Sequence, residues 1–304
     1  MKHILTTHDL TKSYGKHNAA EKINIHVKKG EIYGLIGRNG AGKTTILRII
    51  SGLSNPTEGS YSINGKTGVL LKSERKAIGT LIEAPGLYPN MSAYENLKIK
   101  CIANGKNDRK YIEELLTLVG LENTGNKKTK EFSLGMRQRL GIALALAGDP
   151  ELIVLDEPIN GLDPQGIVEI REILAKLSKE KGITIIISSH ILDELSKIAD
   201  SYGIIHEGKL LEELTSEQLS EKCGEFVILK TDDINKAAKV LMNMNITDYE
   251  KENNETIKIF KLNTDTAEIV RQMVTAGVNV SEIYYNRLTL EEYYLNLTGG
   301  NNNA

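Results

Sequence analysis

Residues Gly37-Arg38-Asn39-Gly40-Ala41-Gly42-Lys43-Thr44 carry the spacing G-x-x-x-x-G-K-[ST] of a phosphate-binding loop. Glycines let successive backbone N–H groups curl around phosphate, and the helix that begins near Lys43 adds a favourable dipole. Lys43 offers a point charge to β- and γ-phosphates, and Thr44 offers a hydroxyl to Mg²⁺. Further along, Leu152-Ile153-Val154-Leu155 runs into Asp156-Glu157. Asp156 suits a hard divalent ion, bound directly or through water. Glu157, on the next residue, can polarise an attacking water as general base. Acids after strands are unremarkable singly, and this pair draws its meaning from the loop upstream. In Phe132-Ser133-Leu134-Gly135-Met136-Arg137-Gln138, Ser133 is a natural N-cap and Gly135 keeps the first turn open, so a helix start there can receive an anion. Alone, that segment reads as an ordinary capped helix.

These groups need rigid elements behind them. Apolar runs at 31–36, 152–155 and 183–187 read as buried parallel strands, each followed by a turn and a helical pattern. Helices are expected at 44–50 and 190–199, and Ile167, Ile170, Ile173, Leu174 and Leu177 share one helical face. Strand–turn–helix repetition predicts an α/β domain with a mainly parallel sheet. Residues 85–150 read as a helical subdomain, with helices at 93–101, 108–119 and 139–147. The composition shifts after about residue 212. A polar connecting helix is expected at 212–222, followed by strand 225–230, helix 234–243, strands 246–250 and 256–261, helix 265–276, strand 279–285 and helix 289–297. The first six of these after the connector match a β-α-β-β-α-β, ferredoxin-like order, a small α+β domain. Two domains are therefore expected, 1–212 and 213–304, the second ending in a short disordered tail at Gly299-Gly300-Asn301-Asn302-Asn303-Ala304.

With 304 residues the chain is long enough for two ordinary domains. Its 40% hydrophobic and 26% charged residues argue against global disorder. A formal net charge of −2 gives no bulk attraction to nucleic acid or anionic membranes. Cys101 and Cys223 are too few for a disulfide framework and read as ordinary thiols in a reducing compartment. The N-terminal residues alternate polar and apolar types without the apolar core of a signal peptide. The richest apolar run, 140–147, is too short to span a bilayer, so a soluble, cytoplasmic protein is expected.

The order of these motifs, continuing through Gly161-Leu162-Asp163-Pro164 and His190, resembles the nucleotide-binding subunit of an ABC transporter, a P-loop NTPase fold. The resemblance covers residues 1 to about 212. It implies ATP and Mg²⁺ as ligands and two such domains, a homodimer, sandwiching two nucleotides. Residues 37–45 (Gly37, Arg38, Asn39, Gly40, Ala41, Gly42, Lys43, Thr44 and Thr45) would cradle one nucleotide. Ser133 and Gly135 would meet the γ-phosphate held by the partner. Tyr14 takes the place of the aromatic that stacks on adenine. Asp163 falls in the loop joining the two sites, and also reads as an N-cap before a proline. His190, after Ile185-Ile186-Ile187-Ser188-Ser189, would bridge the γ-phosphate and the catalytic water alongside Glu157.

Two departures are informative. Leu134 and Met136 replace a glycine and the glutamine of the usual Leu-Ser-Gly-Gly-Gln. Glu83 stands where the family carries a glutamine that senses Mg²⁺ and the γ-phosphate. A carboxylate there is repelled by phosphate unless Mg²⁺ or water intervenes, so Glu83 is a candidate catalytic and metal-contacting group. This glutamate loop and the altered signature resemble the branch that exports bacitracin and lantibiotics. Resemblance to that branch implies separate integral membrane permease subunits as partners, a peripheral place on the inner face of the membrane, and no nucleic acid. A soluble ABC ATPase acting on ribosomes or DNA, or a transporter of lipid or drug, stays open as an alternative. One phosphate loop, near-neutral charge and no long coiled-coil insertion count against the first of these.

Overall fold

The computed structural model describes residues 2–67, 77–260 and 264–299. They divide into two compact units, Met1–Ser216 and Glu217–Ala304. The first unit holds two sheets. Strand β1 (His3–Tyr14) pairs antiparallel with β2 (His17–Ile23) and β3 (His26–Lys28), and also, beyond β4 (Ile32–Ile36), with β5 (Glu58–Ile63). In the other sheet β4 joins β6 (Ile78–Leu81), β7 (Leu152–Asp156), β8 (Thr184–Ser189), β9 (Ser201–His206) and β10 (Lys209–Thr215), in the order β10-β9-β4-β8-β7-β6. All its pairings are parallel except β9–β10.

The three apolar runs are the strands β4, β7 and β8, buried along their whole length. A parallel strand covered on both faces has no polar side to show, which is why these read as unbroken apolar segments. Helix α1 (Lys43–Ile50) turns Ile46, Leu47, Ile49 and Ile50 into one core with Leu5 and Val27 of the antiparallel sheet and Leu35, Val154 and Ile186 of the parallel one. The phosphate loop is thus clamped between strand and helix, both fixed by burial.

The helical insert carries α2 (Ala93–Ala103), α3 (Arg109–Leu118) and α4 (Leu134–Leu146). Ser92 opens α2 with a reciprocal capping box to Glu95. Buried Asn96 then bonds the backbone N–H and carbonyl of Tyr88, pinning the loop that follows β6. Helix α5 (Pro164–Lys181) starts from an Asp163 cap with proline in its first turn and stops at Gly182 in the left-handed region.

Helix α7 (Ser216–Lys222) starts on the last residue of the first unit, and the second unit continues with β11 (Glu225–Thr231), α8 (Ile234–Asn243), β12 (Tyr249–Lys251), β13 (Thr256–Phe260), α9 (Thr266–Thr275), β14 (Val280–Arg287) and α10 (Leu290–Leu297). The sheet runs β12-β13-β11-β14 with every pair antiparallel. Val227, Leu229, Ile257 and Ile259 of the sheet meet Ala237, Leu241, Ile269 and Met273 of two helices in a separate core. Tyr294 is buried, whereas Tyr284 and Tyr285 stand exposed on the edge strand β14.

The expectations differ from this in three places. Residues 212–215 are strand, not helix, because Glu207 and Gly208 both take positive φ and turn β9 back on itself as a two-residue hairpin. The helix after His190 is the short α6 (Leu192–Ser196), because Ser189 Oγ accepts from the Ile191 N–H and ties residues 189–191 into a turn. The expected strand 246–250 is the three-residue β12. Helix α4 begins at the Ser133 cap, as expected for that residue, and runs on through the apolar pattern. Residue 261 of the expected strand and residues 300–304 of the tail lie outside the described residues.

Candidate functional site

The carboxyl ends of β4, β8 and β7 are adjacent, and the chemistry of the sequence converges there. Open α/β sheets bind ligands in this position because the loops leaving neighbouring strands meet over the sheet end. Gly42 is the N-cap of α1 at φ +108°, and a Cβ on it would lie 2.2 Å from the Ala19 carbonyl oxygen. Only glycine fits, so the tight entry into α1 is fixed by sterics as well as by the left-handed backbone. Gly37 and Ala41 are buried, while Arg38, Asn39 and Gly40 form the exposed crest of the loop. Thr44 and Thr45 are half-buried on the first turn of α1.

Lys43 is 5% exposed. Its Nζ donates to the carbonyls of Gly37 at 2.6 Å and Arg38 at 3.2 Å. It also lies 3.1 Å from Glu157 Oε1, an ion pair off the line of a hydrogen bond. The other Glu157 oxygen, Oε2, is 2.7 Å from His190 Nδ1. An ionised carboxylate only accepts, so Nδ1 carries the hydrogen and Nε2 is left as the ring's remaining polar atom. Glu157 itself sits at φ +50°, a strained backbone for a residue with a side chain. Asp156 is buried at the end of β7, with Oδ1 accepting from Ser188 Oγ at 2.6 Å. The same Ser188 oxygen accepts the Glu157 backbone N–H at 2.9 Å. Lys43, Asp156, Glu157 and His190 are therefore drawn into one connected cluster.

Ser133, Gly135 and Asp163 gather elsewhere. They line a cavity of about 420 Å³ with Leu134, Gly161 and Leu162, and none of Lys43, Asp156, Glu157 or His190 borders it. Ser133 caps α4 by accepting from the Met136 N–H, and Asp163 caps α5 by accepting from the Gly166 N–H. Both side chains serve their helices and leave the N-terminal turn of α4 facing open space.

Tyr14 stands apart at the end of β1, 53% exposed, with the Lys12 ammonium 5.3 Å from its ring centre. Glu83 also takes positive φ, and its carboxylate pairs with Arg48 of α1. Two groups in these arrangements escaped the sequence reading: Ser188 and Arg48. The signal for Ser188 was present, since a hydroxyl pair closing an isoleucine run is polar where the strand should be apolar. Arg48 had none, because its partner lies 35 residues away across a loop.

Among the described residues no three His, Cys, Asp or Glu side chains form a metal cage. A buried carboxylate and a helix-start hydroxyl fit Mg²⁺ instead, which takes the rest of its oxygen shell from phosphate and water.

The sequence profile of the ABC transporter family matches residues 20–160. The bacitracin transport ATP-binding protein BcrA of Bacillus licheniformis is 43% identical over 302 residues, covering 99% of each chain. The lantibiotic transport ATP-binding protein SrtF of Streptococcus pyogenes is 46% identical over 208 residues, 68% of this chain and 89% of that protein. Among solved structures, an ATP-binding cassette captured as a dimer with ADP and Pi after hydrolysis superimposes with a TM-score of 0.62. It shares 28% identity and covers 70% of this chain and 98% of that one.

Proposed function

Because the chain belongs to the ABC transporter family, as one of its ATP-binding subunits, we propose that it hydrolyses ATP at the Lys43–Asp156–Glu157–His190 cluster to drive export of a peptide antibiotic of the bacitracin or lantibiotic type. Full-length similarity to BcrA, including residues 217–304, supports the cargo class. The membrane path would then belong to separate permease subunits, a reading supported by the relatives' description as ATP-binding proteins of transport systems; among the described residues no helix is long and apolar enough to cross a bilayer. In this reading the chain works as a homodimer at the inner face of the membrane.

The observation that carries the catalytic reading is the shared carboxylate of Glu157, held by Lys43 on one oxygen and His190 on the other. The Lys43 ammonium donates to two backbone carbonyls and meets Glu157 Oε1 through charge, so the loop and the carboxylate hold it in place. An arriving γ-phosphate competes for Lys43 and frees Glu157 Oε1 to accept a proton from water. His190 keeps Oε2 oriented meanwhile, so the base is released on one side and held on the other. Thr44 and Asp156 would hold Mg²⁺, which would neutralise charge on the phosphates. Gly135 and Ser133 of a second copy would close over the γ-phosphate, which explains why their cavity is separate from the cluster within one chain. Tyr14 would stack on adenine, Asp163 would link the paired sites, and Glu83, paired here with Arg48, would have to leave it to contact Mg²⁺.

The test is a pull-down from native membranes with the Glu157→Gln chain locked by Mg-ATP. Recovery of a polytopic membrane protein, followed by bacitracin sensitivity in cells lacking the chain, is the expected result. Recovery of ribosomes or DNA without any integral membrane protein would leave the ATPase and remove the transporter.

A further inference from the structure

We propose that Ser188 is a positioning residue for both catalytic acids, setting with a single hydroxyl the orientation of Asp156 and the main chain of Glu157. The inference rests on the ATPase reading given above and goes beyond it by assigning a role to a residue outside the phosphate-loop and acid motifs.

Ser188 is fully buried near the end of β8 and lies directly opposite Asp156 in the parallel β7–β8 register. Its hydroxyl has one hydrogen to give and lone pairs to receive. Asp156 Oδ1, at 2.6 Å, can only accept when ionised, and the Glu157 N–H, at 2.9 Å, can only donate. The proton therefore has one place to go, and the hydroxyl is oriented without ambiguity. Two consequences follow. Oδ1 of the metal-ordering carboxylate is occupied from the protein side, which fixes the rotation of the group. The Glu157 amide, on a backbone held at φ +50°, is anchored at the residue where strain would otherwise relax. Relaxing it would swing the Glu157 carboxylate away from Lys43 and His190. Neighbouring Ser189 does neither, because its hydroxyl is spent on the backbone of Ile191.

Outer-shell groups of this kind matter because a ligand carboxylate that can rotate binds its ion less well, typically by about 10–100-fold. The experiment compares Ser188→Thr with Ser188→Val in the full chain, alongside Ser188→Ala. Thr and Val differ by the hydroxyl and share a shape, so a general packing defect would affect both. Read-outs are kcat, KM for ATP, the Mg²⁺ concentration for half-maximal rate, and ATP binding without hydrolysis. Thermal melts confirm folding of each variant. Ser188→Val is expected to lose roughly 10–100-fold in kcat and to need several-fold more Mg²⁺, with KM for ATP nearly unchanged, while Ser188→Thr stays near the parent. In the Glu157→Gln background, Ser188→Val should still raise the Mg²⁺ requirement for tight ATP binding, which isolates the Asp156 arm of the hydroxyl from the Glu157 arm. Equal kcat and Mg²⁺ midpoints for Thr and Val would overturn the proposal. A parent chain without ATPase activity would instead remove the catalytic reading on which it stands.

Discussion

The Glu157 carboxylate and the Lys43 ammonium beside it should fail in different ways when replaced. Glu157→Gln keeps shape and a polar contact to His190 but cannot take a proton. Hydrolysis is expected to fall about 10²–10⁴-fold, the contribution usual for a positioned general base, while ATP still binds and the chain accumulates as a dimer on size exclusion with Mg-ATP. Normal turnover in that variant would sink the assignment. Lys43→Ala should weaken nucleotide binding itself, measured by titration calorimetry, because it deletes the charge that meets the β- and γ-phosphates. It also strips Glu157 Oε1 of its ammonium in a site where both side chains are largely buried. The resting protein should therefore melt earlier, by an amount corresponding to about 1–3 kcal/mol. Unaltered Mg-ATP affinity in Lys43→Ala would mean that the loop does not hold phosphate.

At the scale of elements, α4 and the strands differ in what their sequences disclose. Gly135 sits on the first turn of α4, where a Cβ would meet only Leu162 Cδ2 at an ordinary 3.8 Å. The helix does not need glycine there, so Gly135→Ala should fold with an unchanged or slightly higher melting temperature. If the open turn instead serves a partner's phosphate, ATP-dependent dimer formation and hydrolysis should drop in the same protein. A variant fully active and fully stable would deny Gly135 any role in closing over nucleotide. The phosphate loop and the strands β4, β7 and β8 were legible in the sequence, because a strand buried on both faces must be apolar throughout. The antiparallel sheet around β1 was not. Its strands pair across long separations, as in Leu5 with Ile63, and their half-polar pattern resembles loop. Residues 212–222 misled for a different reason. Glu212, Glu213 and Leu214 suit a helix locally, yet the Glu207-Gly208 turn and pairing with Ser201–His206 override that preference. Within the site, motif spacing singled out Lys43, Asp156 and Glu157, and His190 came only from the family resemblance. The polar end of the isoleucine run marked Ser188 without saying what it bonds, and the Arg48 grip on Glu83 is a tertiary fact with no local pattern to announce it.

For the whole molecule, the end of the first unit depends on one carboxylate. Glu213 Oε1 accepts from the His26 N–H and from buried Tyr33 Oη, and its Oε2 meets His26 Nδ1. This joins β10 to both sheets. A chain ending at residue 212 loses the clasp and half of β10, whereas one ending at Ser216 keeps both. The longer truncate is expected to bind ATP as the full chain does, and the shorter to melt several degrees lower by circular dichroism. Equal melting of the two would assign the clasp no structural weight. The same feature has a mechanical meaning. Residues 216 onward lead out of an edge strand that is paired on one side only, to β9. Tension applied at the C-terminus therefore loads β10 first among the elements of the nucleotide-binding unit, and Glu213 is the rivet nearest the point of pull. In an optical-trap experiment anchored at both ends, Glu213→Ala should lower the rupture force of that first peel while leaving the force for the β4–β8 core unchanged.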